Sequence, residues 1–243
     1  PRIRQWFQMT EEDTTEMSSE DDAEEEPSLQ PLVDMLADQM IEVNSTILDR
    51  MYSKVPLIAE LGGHLIAAGG KRMRPLLTLS GATVVGTDNS GREKAIKLAT
   101  AVEFIHSATL LHDDVIDRSE KRRGLKTANI IWTNKYSVLV GDFLFSRAFQ
   151  LMVRTESLRI MKTLSDASAI ISQGEILQVG IEKKLDASEE DYLKVIKGKT
   201  SALFSAACQA GAEITNASDS HIDALQEYGE CIGTSFQLID DLL

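Results

Sequence analysis

An all-α protein is the prediction, and three features of the chain make it. All five prolines fall at or before Pro75, so residues 76–243 run without the strongest helix breaker. Apolar side chains recur at alternating steps of three and four along Ile222, Leu225, Gly229, Ile232, Phe236, Ile239 and Leu243, the spacing of one continuous buried stripe. Hairpin signals are scarce: Asp88-Asn89-Ser90-Gly91 reads as a loop between helices, not as a turn between alternating strands.

Taken in order, helices are expected over 32–53, 56–68 and 74–86, with Pro75 suited to the first turn of the third. The segment 92–117 is apolar around most of its circumference, as a central helix surrounded by others would be. Further helices follow at 134–154, 157–183, 188–197 and 199–214, then the stripe that begins at Ile222. No internal repeat has a solenoid period. A chain of 243 residues can bury a substantial core.

The formal charge of −13 is largely local. Residues 1–27 carry ten acids and two arginines, leaving 23 basic and 28 acidic residues, or −5, for the rest. Residues 1–30 therefore read as a disordered, solvated acidic tail, and 31–243 as the folded domain. A mildly acidic body gives no reason to expect a nucleic-acid partner. Cys208 and Cys231 are isolated in apolar helical contexts, which suits buried reduced thiols and a cytoplasmic protein. No uncharged apolar run approaches the ~18 residues of a membrane span, and Pro1–Phe7 is too short of apolar length for a secretory signal.

The chemistry lies in two acidic clusters, Asp113-Asp114-Val115-Ile116-Asp117 and Asp240-Asp241, each following an apolar run. Asp113 and Asp117 are four residues apart on one helix face. Carboxylates turned toward a core need cations beside them. Two facing clusters would form an oxygen-lined site for a hard divalent ion, Mg2+ first and Mn2+ as the alternative. Val102, His106, Thr109, Asp113 and Asp117 share one stripe, with His106 about 10 Å from Asp113 along the axis. Alone, His106 is an ordinary core histidine; the shared face makes it a cavity residue. Lys71 and Arg74, in Gly69–Pro75, suit an anion near a helix start. Arg122-Arg123-Gly124 follows the first cluster, and Lys199-Thr200 interrupts a run of small apolar residues. Three basic stations around one acidic site imply a substrate with more than one phosphate.

This ordered set, together with Glu103-Phe104-Ile105-His106, Val140-Gly141-Asp142-Phe143-Leu144 and Phe236-Gln237-Leu238-Ile239-Asp240-Asp241, resembles the trans-type polyprenyl diphosphate synthases from about residue 60 onward. The resemblance implies an isoprenoid-synthase-type bundle of long antiparallel helices around a central cavity. It implies that Asp113, Asp117 and Asp240 bind Mg2+ bridged to an allylic prenyl diphosphate, with Asp114 and Asp241 in support. Arg122 and Lys199 would hold that diphosphate, and Lys71, Arg74, His106 and Arg123 that of isopentenyl diphosphate. Thr200 and Gln237 would border the reacting carbons. A homodimer is implied as well, and peripheral membrane contact for product release.

In this family, residues one turn before the first cluster wall the tunnel that receives the growing tail. Here they are Ala108 and Thr109, where short-chain members carry bulky aromatics. Small side chains imply a product beyond fifteen carbons, and the wording of 102–111 most resembles the octaprenyl to decaprenyl branch that supplies quinone side chains. Lys126 stands where relatives usually have Pro. The chain stops at Leu243, one position before the expected third acid of the second cluster, so it reads as C-terminally incomplete. The rival readings are a non-catalytic partner subunit of a heteromeric synthase and a terpene cyclase on the same fold.

Overall fold

The computed structural model describes residues 28–67, 69–181 and 186–243. The expected acidic tail lies, up to residue 27, outside the described residues. Eleven helices are present among the described residues, beginning with α1 (Gln30–Met35), α2 (Ala37–Met51), α3 (Pro56–Ala67) and α4 (Met73–Val85). The helix expected at 32–53 is thus two, broken at Leu36. Pro31, Pro56 and Pro75 all lie in first turns, where the missing N–H costs no helix bond.

The long helix α5 (Asn89–Ile116) starts earlier than expected. Asp88 caps it, its Oδ1 accepting from the Gly91 amide at 2.7 Å, so Asn89–Gly91 is a first turn and not a loop. α5 is central as expected, packed by α2, α4, α7 (Asn134–Val153) and α10 (Ala202–Glu213). Its fully buried Leu98, Val102, Ile105 and Leu111 anchor the main core.

Between α5 and α7 lie two features that the sequence reading lacked. Strands β1 (Lys121–Arg122) and β2 (Leu125–Lys126) pair antiparallel, and a one-turn α6 (Ala128–Ile131) follows. The two-residue loop holds Arg123 at φ 51° and Gly124 at φ 80°, both left-handed, as a tight hairpin requires. Arg-Gly lacks the Asn-Gly or Asp-Gly signature of such a turn.

The second half comprises α8 (Leu158–Ile181), α9 (Glu189–Ile196), a π-helical turn (Lys197–Ser201), α10 and α11 (Asp219–Leu242). The helices expected at 188–197 and 199–214 are one continuous rod, widened at Lys199-Thr200. Along α11 the apolar stripe is buried at Ile222 and Gly229, but Phe236, Ile239 and Leu243 are 39%, 57% and 98% exposed. Past that point the last turns of α11 meet their neighbours through Phe236 against the Phe204 ring and through the hydrogen bonds of Gln237 and Asp241, not through a fully buried stripe. Of the two cysteines, Cys208 is buried and Cys231 is exposed, not buried as expected.

Candidate active site

A cleft of about 900 Å³ opens between α4, α5, the hairpin, α8, the π turn and α11. Its wall includes His106, Thr109, Asp113 and Asp117, four of the five residues of the expected stripe. Val102, at the inner end, is wholly buried. Asp240 comes to the same cleft from α11, so both acidic clusters address one hollow.

One end is cationic. Lys71, Arg72, Arg74, Arg122 and Arg123 all line it. Arg72 closes on the buried carboxylate of Glu103. Burial raises the Glu103 carboxyl from its usual range, and Arg72 opposes that rise. Arg74 stacks 4.3 Å over the Phe204 ring and donates from Nη1 to His106 Nε2 at 3.1 Å. Removal from water lowers the Arg74 guanidinium to about 10, with Glu103 pulling the other way. Desolvation, then Arg74 and Arg123, push the His106 pKa well below its usual value. The imidazole is therefore neutral, with Nε2 the acceptor and Nδ1 carrying the proton. Arg123, projected from the hairpin turn, donates to the Gly69 carbonyl. Arg74 Nε is buried without a partner among the described residues.

The other end is acidic. Lys199 sits between two carboxylates, 3.0 Å from Glu175 Oε2 and 3.6 Å from Asp113 Oδ2. Glycines make this meeting possible: a Cβ on Gly174 would lie 2.7 Å from the Lys199 amide nitrogen. The backbones of α8 and the π turn therefore touch, and the next residue on α8, Glu175, reaches Lys199. The sequence reading missed Glu175; its flag was the neighbouring glycine of a close approach. Burial lifts the Asp113 carboxyl to about 7, with Lys199 lowering it and Glu175 and Asp117 raising it further. Desolvation lowers the Lys199 ammonium, but Asp113 and Glu175 outweigh it, so its pKa is raised.

Asp114 and Asp241 stand beside the cleft and hold other side chains. Asp114 is buried and accepts from Arg122 Nε and Nη2 at 3.0 and 2.8 Å. Asp241 accepts from Tyr192 at 2.5 Å and from Gln237 Nε2 at 2.9 Å. Thr200 donates to Gln237 Oε1 at 2.7 Å, and both line the cleft. Of the two expected tunnel residues, Thr109 is on the wall and Ala108 is not. Ala108 is fully buried in the core because one residue turns it about 100° from the stripe.

Among the described residues no three His, Cys, Asp or Glu side chains gather as a ready-made metal site, but Asp113, Asp117 and Asp240 line one cleft with oxygen donors of the kind a hard divalent ion takes. The side chains of Asp117 and Asp240 have no hydrogen bond or ion pair among the described residues, and Glu175 Oε1 is buried without a partner. Asp113 carries a charge that its surroundings under-compensate.

The Polyprenyl synthetase family matches residues 55–243. The chain is 43% identical over 216 residues to the octaprenyl diphosphate synthase of Escherichia coli (strain K12), covering 89% of this chain and 66% of that one. It superposes on the crystal structure of a decaprenyl diphosphate synthase from Rhodobacter capsulatus with a TM-score of 0.85, at 50% identity over 88% of this chain and 66% of the other. A polyprenyl synthase from Caulobacter crescentus CB15, complexed with calcium and isoprenyl diphosphate, gives 0.86 at 48% identity, over 89% and 65%. The chain thus spans just under two thirds of the length of these relatives. With the match running through both acidic clusters and every basic station, the chain belongs to the polyprenyl synthetase family.

Proposed function

We propose that this chain carries the active site of a Mg2+-dependent trans-polyprenyl diphosphate synthase, a prenyltransferase that condenses isopentenyl diphosphate with an allylic prenyl diphosphate. The observation that carries the reading is the single cleft with carboxylates at one end and clustered cations at the other. Two diphosphates in one reaction call for such an arrangement. The Caulobacter relative, solved with calcium and isoprenyl diphosphate, supports it.

Asp113, Asp117 and Asp240 would hold Mg2+, or Mn2+ in its place, which supplies charge neutralisation for the departing diphosphate. Arg122, aimed by Asp114, and Lys199 grip the same leaving group. Lys71, Arg74, His106 and Arg123 take the diphosphate of isopentenyl diphosphate, with His106 also accepting from Arg74 Nη1. Breaking the allylic carbon–oxygen bond leaves an allylic cation, which the double bond of isopentenyl diphosphate attacks before a proton is lost. The carbonyl and hydroxyl oxygens of Gln237 and Thr200 border that cation. Water must be kept out, which the packed cleft walls serve.

The product is proposed to be medium or long, beyond fifteen carbons, for quinone side chains. The octaprenyl and decaprenyl names of the relatives and the small Thr109 on the wall support this. A homodimer is proposed through α7, whose Leu139, Phe149 and Val153 are 50%, 44% and 61% exposed. No helix among the described residues is long and apolar enough to cross a membrane. A cytoplasmic setting with peripheral membrane contact for product release belongs to the same proposal.

Incubation with Mg2+, farnesyl diphosphate and labelled isopentenyl diphosphate tests the reading. Elongated diphosphates are expected. Cyclic hydrocarbons would replace it with a cyclase, and turnover only after a second chain is added would make this a partner subunit.

A further inference from the structure

We infer that Tyr192 is a positioning residue for the proposed reaction, acting through Asp241 to fix the side-chain amide of Gln237 beside Thr200. Four groups on three neighbouring elements form one hydrogen-bond chain. The Tyr192 hydroxyl on α9 donates to Asp241 Oδ2 at 2.5 Å, and Gln237 Nε2 donates to Asp241 Oδ1 at 2.9 Å. The Thr200 hydroxyl on the π turn donates to Gln237 Oε1 at 2.7 Å.

The direction of each bond is forced. An ionised carboxylate only accepts, so Gln237 must turn its NH2 toward Asp241 and its carbonyl toward Thr200. Were Asp241 free to rotate into water, the Gln237 amide could flip and present N–H where its carbonyl now stands. Beside a developing allylic cation the two orientations have opposite effects: a carbonyl oxygen attracts, an amide N–H repels. Asp241 is exposed in the last turns of α11, where nothing else among the described residues restrains it. The phenol of Tyr192, a charge-assisted donor, supplies the restraint.

The geometry explains a second point. α11 approaches α10 at Gly229 and the π turn at Gly233 because both lack side chains: a Cβ on Gly233 would lie 2.7 Å from Ser201 Cα. That contact brings Gln237 to Thr200, and the Tyr192 bond secures α11 about one turn further on. With Asp241 turned to Tyr192, its neighbour Asp240 is turned into the cleft. Nothing in the sequence reading pointed to Tyr192.

The inference is tested in two ways with the Tyr192→Phe protein, which keeps the ring and removes one oxygen. In NMR spectra of 15N-labelled protein, the Gln237 side-chain NH2 protons should exchange with water about tenfold faster than in the parent. Unchanged exchange would overturn the inference. This arm needs no turnover, so it stands or falls apart from the proposed function. The second arm rests on that function: kcat should fall about tenfold with KM for isopentenyl diphosphate unchanged, the pattern of a lost transition-state orientation. Combining Tyr192→Phe with Asp241→Asn should add little to Asp241→Asn alone, whereas additive losses would mean that Tyr192 does not act through Asp241. A parent enzyme without prenyl transfer would sink the proposed function, and the exchange arm would still decide on the positioning.

Discussion

At the cationic end of the cleft, Arg72 is closed on Glu103, Arg74 is held by Phe204 and His106, and Arg123 is tied to the Gly69 carbonyl. At the acidic end, Asp113 and Glu175 share Lys199, the side chains of Asp117 and Asp240 have no hydrogen bond or ion pair among the described residues, and Glu175 keeps an orphaned oxygen. The first region is assembled before any ligand arrives. The second gathers carboxylates that Lys199 neutralises only in part. A preorganised anion station beside an under-neutralised acid cluster is what the proposed metal-assisted ionisation of one diphosphate would require while a second waits in place.

The comparison breaks most severely at Glu103. Glu103→Ala should cost about 3–5 kcal/mol in denaturant unfolding, because it strands the largely buried Arg72 charge. Asp113→Asn should behave in the opposite sense: the metal-free protein melts higher, since a disfavoured buried charge is gone, while prenyl transfer falls about 10²–10³-fold. Equal destabilisation by the two substitutions would erase the distinction between the ends.

Glu175→Gln sharpens it. Lys199 would then swing fully to Asp113 and compete with the ion, so the Mg2+ concentration for half-maximal activity should rise about tenfold. On the wall between the ends, Thr109→Phe should shorten the product read by chromatography, whereas Ala108→Phe should overpack the core by about 1–3 kcal/mol.

The smallest effect is on pH. His106 is held neutral in the fold, while the unfolded chain protonates it near pH 6.5. Its contribution to stability is complete above that pH and is lost as pH falls toward the lower folded value. The unfolding free energy should therefore drop by at most about 1.4 kcal/mol per unit there. His106→Gln should flatten that slope.

Much of this was legible in the chain because its signals are local. Helical periodicity and proline placement gave the bundle, and four-residue spacing put Asp113, Asp117 and His106 on one face. What stayed hidden depends on contacts between distant segments. Glu175 is one acid on a helix full of polar positions until Gly174 meets the π turn. The π turn itself carries no sequence signature. Arg123 joins the cleft through a left-handed turn that only tertiary contacts select.

The most direct measurement is thermal unfolding of the parent and Asp113→Asn proteins with and without Mg2+ and inorganic pyrophosphate. The account predicts a clear rise in the melting temperature of the parent with both added together, and little or none in Asp113→Asn. Equal rises in the two proteins, or none in the parent, would contradict an acidic end that waits for a divalent ion.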